Sequence, residues 1–247
     1  MADPATDAQI EAQARLRAIV VQAVQRAWRG LDNHDEESVA PFLAIVLPVL
    51  VAAMRTSVSL SDAYVGRVLG RRPLGIDPAP VIASVRGDTQ PQTVYRRPFV
   101  TVWSDLQAGK PFADAVAAGE ARATASAALD IQTAHRGAMD AIQAADPRIY
   151  GYARAADPDA CPYCKLLDRA YVKRADALAM HNFCGCGLEP LTGPHPRAAK
   201  LPDGTPVSAL MPQDEVEGVA VFQHGEYGST VGDPSHNHLT PAEALAR

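Results

Sequence analysis

The chain has 247 residues, of which 47% are hydrophobic and 21% are charged, and its formal net charge at pH 7 is −5. This balance predicts a folded, soluble protein and argues against extensive wrapping of nucleic acid, which needs a positive surface. The first thirty residues contain no long apolar run, so we expect no secretory signal and a compartment in which thiols stay reduced.

The N-terminal part of the chain predicts a series of helices. Thr6 and Gln9 form a Thr-x-x-Gln capping box, and apolar residues at helical spacing follow them until Gly30. After a second helix, a third is predicted to begin at Ser61 and to end at Gly70.

The second helix, predicted to begin near Ser38, contains the most apolar stretch of the chain, residues 39–54. This stretch is shorter than the roughly 20 apolar residues that a membrane-spanning helix needs, and it contains Pro41 and Pro48. We therefore predict a buried helix of a soluble protein and expect no membrane association.

The next stretch, residues 74–98, contains several prolines and glycines and predicts irregular structure with one short helix at 81–85. Another short helix, closed by Gly109, is predicted after it. Pro111 then begins a long alanine-rich helix that runs towards Ala145. The small residues along one stripe of this helix fit an ordinary core helix, or a helix that lies against a partner chain.

The helical pattern ends at Asp146-Pro147, and short β-like runs follow it. We predict a mainly α protein with a helical domain over 1–147, a small α+β zinc-knot domain over 148–193, and an extended Pro- and Gly-rich arm over 194–247. The β-like runs are residues 148–152, 170–173 and 218–223.

All four cysteines lie in one short segment of the second part, which reads Cys-x-x-Cys and later His-x-x-Cys-x-Cys. Two thiolates two residues apart reach one ion from a tight turn, and a second pair from a distant loop completes a tetrahedron, as in structural zinc sites. Zinc would also stabilise a segment too short to have a sufficient core of its own. The candidate ligands for Zn²⁺ are Cys161, Cys164, His181, Cys184 and Cys186.

Three other interpretations of this cluster stay open. Disulfides would hold the same knot, and buried thiols beside a chance histidine would have no function at all. Cys-Pro-Tyr-Cys is also the active-site tetrapeptide of glutaredoxins, but residues 155–159 read Ala-Ala-Asp-Pro-Asp where that fold has a buried apolar strand. We therefore favour a structural metal site, in which Cys184 and Cys186 compete for the fourth position.

The cluster lies within a longer pattern made up of Cys161, Cys164, Leu167, Tyr171, His181, Cys184, Cys186 and Pro190. This pattern resembles the Mu F-like minor head proteins of tailed bacteriophages, most closely those of phages of actinobacteria. The stretch 95–103, the long helix after it and the His-Gly-Glu segment at 224–228 are similar as well, so the resemblance covers about residues 90–230. Here Asn182-Phe183 replaces the usual proline and Gly185 replaces a basic residue, and neither change removes a candidate ligand.

The resemblance implies a structural component of the virion, made alongside the portal protein and incorporated in few copies. Such a minor capsid protein would lie in the capsid interior near the portal vertex, after a stage in the host cytoplasm. It would help head morphogenesis and the passage of DNA. Its implied partners are the portal protein and other head proteins, with contact to packaged DNA as an option.

Two other functions stay open beside this one. A capsid maturation protease needs a serine nucleophile and a positioned base, and Ser235 and His236 stand in a Gly/Pro-rich segment without a recognisable catalytic motif. We therefore expect no enzymatic activity. A zinc-dependent nucleic-acid-binding module would use a basic and aromatic patch made of Tyr163, Lys165, Arg169, Tyr171, Lys173 and Arg174.

Overall fold

A computed structural model of the chain describes residues 4–157, 160, 164–165, 168–169, 171–175, 185–192, 220–224 and 228–232. Over these residues the protein is mainly helical, and short antiparallel strands follow the helices. The helices are α1 (Pro4–Arg29), α2 (Val39–Val68), α3 (Pro78–Ser84), α4 (Pro91–Gln107) and α5 (Phe112–Ala145), with a 3₁₀ turn at Glu36–Ser38 before α2. The strands are β1 (Ile149–Ala155), β2 (Tyr171–Val172), β3 (Gly187–Thr192), β4 (Ala220–His224) and β5 (Gly228–Gly232).

The four long helices pack around an apolar core that is centred on aromatic side chains. The ring of Phe99 lies 4.8 Å from that of Trp28 and 5.4 Å from that of Phe42, measured between centroids. Gly119 of α5 faces this group, and a Cβ at Gly119 would lie 2.6 Å from the indole of Trp28. Ala123, one turn further along α5, is fully buried. The small-residue stripe of α5 therefore lies within the core of this chain.

By length and composition alone, the helix that includes α2 could cross a membrane. Its side chains nevertheless contribute to the core, since Phe42 and Leu50 are 0% and 2% exposed. The opposite edge is apolar and solvent-facing, with Ile45 54% exposed. A single helix of this kind is weak support for a membrane span, because the core helices of soluble proteins pass the same test. We interpret α2 as a core helix with an exposed apolar edge.

The predicted start of α2 near Ser38 and the predicted span of α5 are confirmed. The predicted capping box is wrong, because Thr6 lies inside α1. Its hydroxyl forms a hydrogen bond of 2.7 Å with the hydroxyl of Tyr64 instead of capping the helix. A tertiary contact with α2 therefore uses the side chain that the local pattern assigned to a cap.

The third predicted helix is also wrong as a separate element, since α2 continues to Val68 without a break at Ser61. The hydroxyl of Ser61 donates to the carbonyl oxygen of Ser57 at 2.7 Å, a back-bond that serine makes within helices. The stretch predicted as irregular contains α3 and the beginning of α4, which starts at Pro91. Proline in a first turn loses no helical hydrogen bond, so Pro91 starts a helix rather than preventing one.

β1, β2 and β3 form an antiparallel sheet with β1 in the centre. Tyr152 of β1 lies opposite Val172 of β2 and opposite Pro190 of β3. The change from α5 to β1 falls where the predicted boundary at 147 lies, and the division into separate domains stays a prediction. The sheet and the helices share one buried cluster, made up of Tyr64, Val65, Met139, Ile142, Ile149, Tyr152, Cys164, Ala175, Cys186 and Leu188.

β4 and β5 form a separate antiparallel hairpin in which the backbone of His224 pairs with that of Gly228. The hairpin lies inside the part of the chain predicted as an extended arm, and β4 overlaps the β-like run predicted at 218–223. The proline-rich stretch before the hairpin and the residues after it lie outside the described residues. The extended arm therefore stays a prediction.

Candidate metal centre

The structure describes two of the five predicted zinc ligands, Cys164 and Cys186. The other three, Cys161, His181 and Cys184, lie outside the described residues. Cys164 is 1% exposed and Cys186 is 7% exposed, and both belong to the buried cluster between the sheet and the helices. The fold therefore brings one cysteine from each half of the motif to the same small core.

Hydrogen bonds tie the loop between β1 and β2 back to the end of β1. The carboxylate of Asp168 accepts from the backbone N–H of Ala156 at 2.9 Å, and the N–H of Arg169 donates to the carbonyl oxygen of Arg154 at 2.8 Å. Arg169 has a φ of 69°, a left-handed conformation that is uncommon for a side-chain-bearing residue, and its guanidinium pairs with Glu189 of β3. These contacts hold Asp168 and Arg169, which precede β2, against the end of β1 and against β3.

Arg154 connects the sheet to one of the candidate ligands. It lies in the central strand, it is 0% exposed, and its Nη1 donates a hydrogen bond to the Sγ of Cys164 at 3.3 Å. Burying a guanidinium is costly unless anionic or well-placed acceptors surround it, and a thiolate is such an acceptor. A set of thiolates with a buried cation directed at one of them fits a zinc site, because zinc binds cysteine as the thiolate.

Two glycines allow the segment around Cys186 to pass through a narrow space. A Cβ on Gly185 would collide with the carboxylate of Asp157, and a Cβ on Gly187 would lie 2.6 Å from the side chain of Ile10 in α1. These close approaches place Cys186 in the buried cluster. They also give a steric reason for Gly185, the position at which this chain lacks the basic residue of the Mu F-like pattern.

A small cavity of about 20 Å³ lies beside Cys186, between α1, α5 and β3, and His135 forms part of its wall. The Nδ1 of His135 lies 2.7 Å from the Oγ of Ser61, and both side chains are buried. Burial, with the nearby charges of Arg17 and Arg136, lowers the pKa of His135 to about 4, so the imidazole is neutral at pH 7. A space of this size holds about one water molecule and no peptide. The pair is a buried hydrogen bond that joins α2 to α5.

Sequence reasoning missed this pair and a second buried polar group, which lies beside a cavity of about 420 Å³ between α2, α3 and α4. There Arg86 forms an ion pair with Asp130 over 2.5 Å, and the hydroxyl of Tyr95 donates to Asp130 at 2.7 Å. Burial and the charge of Asp130 raise the pKa of Tyr95 well above its usual value. These groups bind one another and join α4 and α5 to the end of α3. Their positions far apart in the sequence carry no local signal.

The predicted basic patch is exposed in part and neutralised in part. Lys165, Lys173 and Arg174 are exposed, and the guanidinium of Arg174 lies 3.9 Å from a carboxylate oxygen of α5. Arg169 is paired with Glu189. The side chains of the two tyrosines of the patch lie outside what the structure describes. The two arginines of the patch are therefore close to carboxylates, which lowers the positive charge that the patch presents to a phosphate backbone.

Among the residues that the structure describes, no group of three or more His, Cys, Asp or Glu side chains lies close enough together to hold a metal ion. Because three of the five predicted ligands are not among those residues, the zinc site stays a prediction, supported by the positions of Cys164, Cys186 and Arg154.

Comparisons with known proteins add no assignment to this description. No family model matches the chain, and neither curated proteins nor solved structures give a match. The likeness to the Mu F-like minor head proteins therefore rests on the cysteine–histidine pattern and on the residues around it alone.

Proposed function

We propose that this chain is a structural minor capsid protein of a tailed bacteriophage, in which a zinc-bound knot is anchored to a helical body. The observation that carries the proposal is the cysteine–histidine pattern, whose two described cysteines, Cys164 and Cys186, lie in one buried cluster. The order of elements supports it, because a helical region precedes the cysteine segment, as the resemblance implies.

In this proposal a single Zn²⁺ ion has a structural role. Cys161, Cys164 and His181 bind it with one further cysteine, Cys184 or Cys186, of which Cys186 lies in the same buried cluster as Cys164. A four-coordinate site of this kind leaves no open position for a substrate. Zinc would join the loops that lead into β2 and β3, and the shared cluster would transmit its stabilisation to α2 and α5.

The proposed place of action is the capsid interior near the portal vertex, where the protein would contact the portal protein and other head proteins. The exposed apolar edge of α2, which includes Ile45, offers surface for such contacts. The protein would assist head assembly and the passage of DNA, and it would carry out no reaction. The Ser235–His236 pair of the protease alternative lies outside the described residues, so an experiment has to separate the two functions.

The test is deletion of the coding region in the phage, with complementation by variants. We expect defective or poorly infectious heads in which the major capsid protein is still processed, as judged by electron microscopy and by mass spectrometry of the capsid protein. A Ser235→Ala/His236→Ala double variant should restore normal heads, whereas Cys161→Ser/Cys164→Ser should not. If processing stops on deletion and returns only with Ser235 and His236 intact, the protease function is correct instead.

A further inference from the structure

We propose that the exposed apolar face of α2 binds the same face of a second copy of this chain, with the two helices antiparallel. The face consists of residues that recur every three or four positions and are exposed in the structure, namely Ala40, Pro41, Ala44, Ile45, Pro48, Val51 and Ala52. The inference goes beyond the proposed function, and it rests neither on the zinc site nor on the likeness to phage proteins.

The core of this chain does not account for the apolar character of the face. Phe42 and Leu50, on the opposite side of α2, supply the contacts with the core, and only 33% of the most apolar window of the helix is buried. Ile45 is 54% exposed and Val51 is 37% exposed, and residues 39–54 carry no charge. An exposed apolar patch with polar residues at its rim marks a site of contact with another surface.

Charged residues at the two ends of the face select the partner and its direction. Glu37 lies just before the face and Arg55 just after it, and both are exposed. They are 18 residues apart, which is five helical turns, so they lie on one line along the helix and about 27 Å from each other. In an antiparallel pair of identical helices with a two-fold axis near residue 46, Glu37 of each copy lies opposite Arg55 of the other. A parallel pair would bring like charges together, which is unfavourable.

The same two-fold arrangement brings small and apolar residues to the centre of the interface. Ala44 of one copy lies opposite Pro48 of the other, and the Ile45 side chains of the two copies lie side by side next to the axis. Small side chains at the centre let the helices approach closely, while Ile45 and Val51 bury apolar area. The face is therefore complementary to itself in both shape and charge.

A lipid surface fits the face less well than a second copy does. Helices that lie on membranes carry basic residues beside their apolar side, because anionic lipids attract them. In this chain the face is preceded by acidic residues, which are Asp32, Asp35, Glu36 and Glu37. The guanidinium of Arg96 pairs with Glu36, and Glu37 stays at the rim of the face.

The experiment measures self-association of the full chain by sedimentation equilibrium at several concentrations. Because the interface is a single helix face, we expect a weak dimer with a Kd of roughly 1–100 µM. Ile45→Glu should weaken it by at least about 100-fold, because two carboxylates would meet beside the axis. Ile19→Glu is the matched control, since Ile19 is 61% exposed on α1, and we expect it to leave the Kd unchanged.

Charge reversal tests the antiparallel direction at two exposed positions, where substitutions seldom affect folding. Glu37→Arg and Arg55→Glu should each weaken the dimer by about tenfold at low ionic strength, because each places like charges opposite one another twice. An equimolar mixture of the two variants should form a heterodimer as tight as the wild-type dimer, since opposite charges then meet at both ends.

The outcomes decide between the possible occupants of the face. A wild type that stays monomeric at every concentration overturns the inference, and binding of that monomer to vesicles of phosphatidylcholine and phosphatidylglycerol would identify lipid as the occupant instead. Equal effects of Ile45→Glu and Ile19→Glu also overturn it, as does a mixture of the charge variants that associates no more tightly than each variant alone. Dimerisation through α2 needs no zinc and no phage, so the proposed function stands or fails in separate experiments.

Discussion

Buried polar side chains link distant segments of this protein through hydrogen bonds and ion pairs. The carboxylate of Asp62 in α2 accepts hydrogen bonds from the backbone N–H groups of Leu74, Gly75 and Ile76, at 2.6–3.1 Å, and so holds the loop that leads to α3. Such a contact satisfies groups that would be costly to bury alone. Arg154, which is buried in the central strand, likewise donates a hydrogen bond to the Sγ of Cys164 in the next loop.

His135 makes one of these contacts and gives a prediction about pH. Its pKa in the folded protein is about 4, below the usual value of 6.5, because the ring is buried and lies near Arg17 and Arg136. The stabilisation from keeping the ring neutral is therefore complete above about pH 6.5 and is lost as the pH falls towards 4. We expect the wild type to lose about 2–3 kcal/mol more than His135→Gln over this range, from urea unfolding at several pH values. Parallel losses in the two proteins would contradict the prediction.

At the scale of the element, the packing of α5 against Trp28 of α1 requires glycine at position 119. Gly119→Ala would place a Cβ 2.6 Å from the indole of Trp28, and also 2.7 Å from Val102. We expect this substitution to destabilise the protein by about 1–3 kcal/mol, although alanine is the better helix former by roughly 1 kcal/mol. Thermal or urea unfolding gives the value.

Gly137→Ala in the same helix is the control for Gly119→Ala. Its Cβ would lie 3.1 Å from one methyl group of Val81, which can move slightly. The two substitutions make the same change in helix propensity, so a difference between them reports packing alone. Equal effects on stability would show that the contact with Trp28 is not the reason for Gly119.

The bounds of α5 could be predicted because Pro111 and Asp146-Pro147 mark both of its ends locally. The continuity of α2 could not, because Ser61 has the local preference of a cap, while its hydroxyl binds Ser57 and His135. The zinc ligands stay a prediction from the spacing of the cysteines and the histidine. The contact between Arg154 and Cys164 could not be predicted, because nothing in the local sequence shows that a strand places Arg154 there.

At the scale of the molecule, the described fold has two main buried regions. One is the aromatic core around Trp28 and Phe99, and the other is the cluster that contains both described cysteines. The second cluster includes residues near the end of α2 and in the last turns of α5, among them Tyr64 and Met139. Loss of the proposed metal should therefore affect these helix ends together with the sheet.

The corresponding variant is Cys164→Ser, studied by hydrogen exchange with mass spectrometry. We expect protection to fall over 149–192 and at the ends of α2 and α5 nearest the sheet, while the aromatic core keeps its protection. Addition of a strong chelator to the wild type should give the same pattern, because a structural zinc ion contributes directly to folding. A loss confined to the cysteine loops would show that the knot folds independently of the helices.

The contact between Ile10 and Gly187 has a consequence for the order in which the chain is made. Synthesis completes α1 long before residue 187 exists, so the apolar side chain of Ile10 has no partner in β3 until about 175 further residues have been made. Contacts of such long sequence separation form late and slowly, and surface left open meanwhile favours aggregation. Closure of the fold over α1 thus waits until the ribosome has made the second half of the cysteine motif.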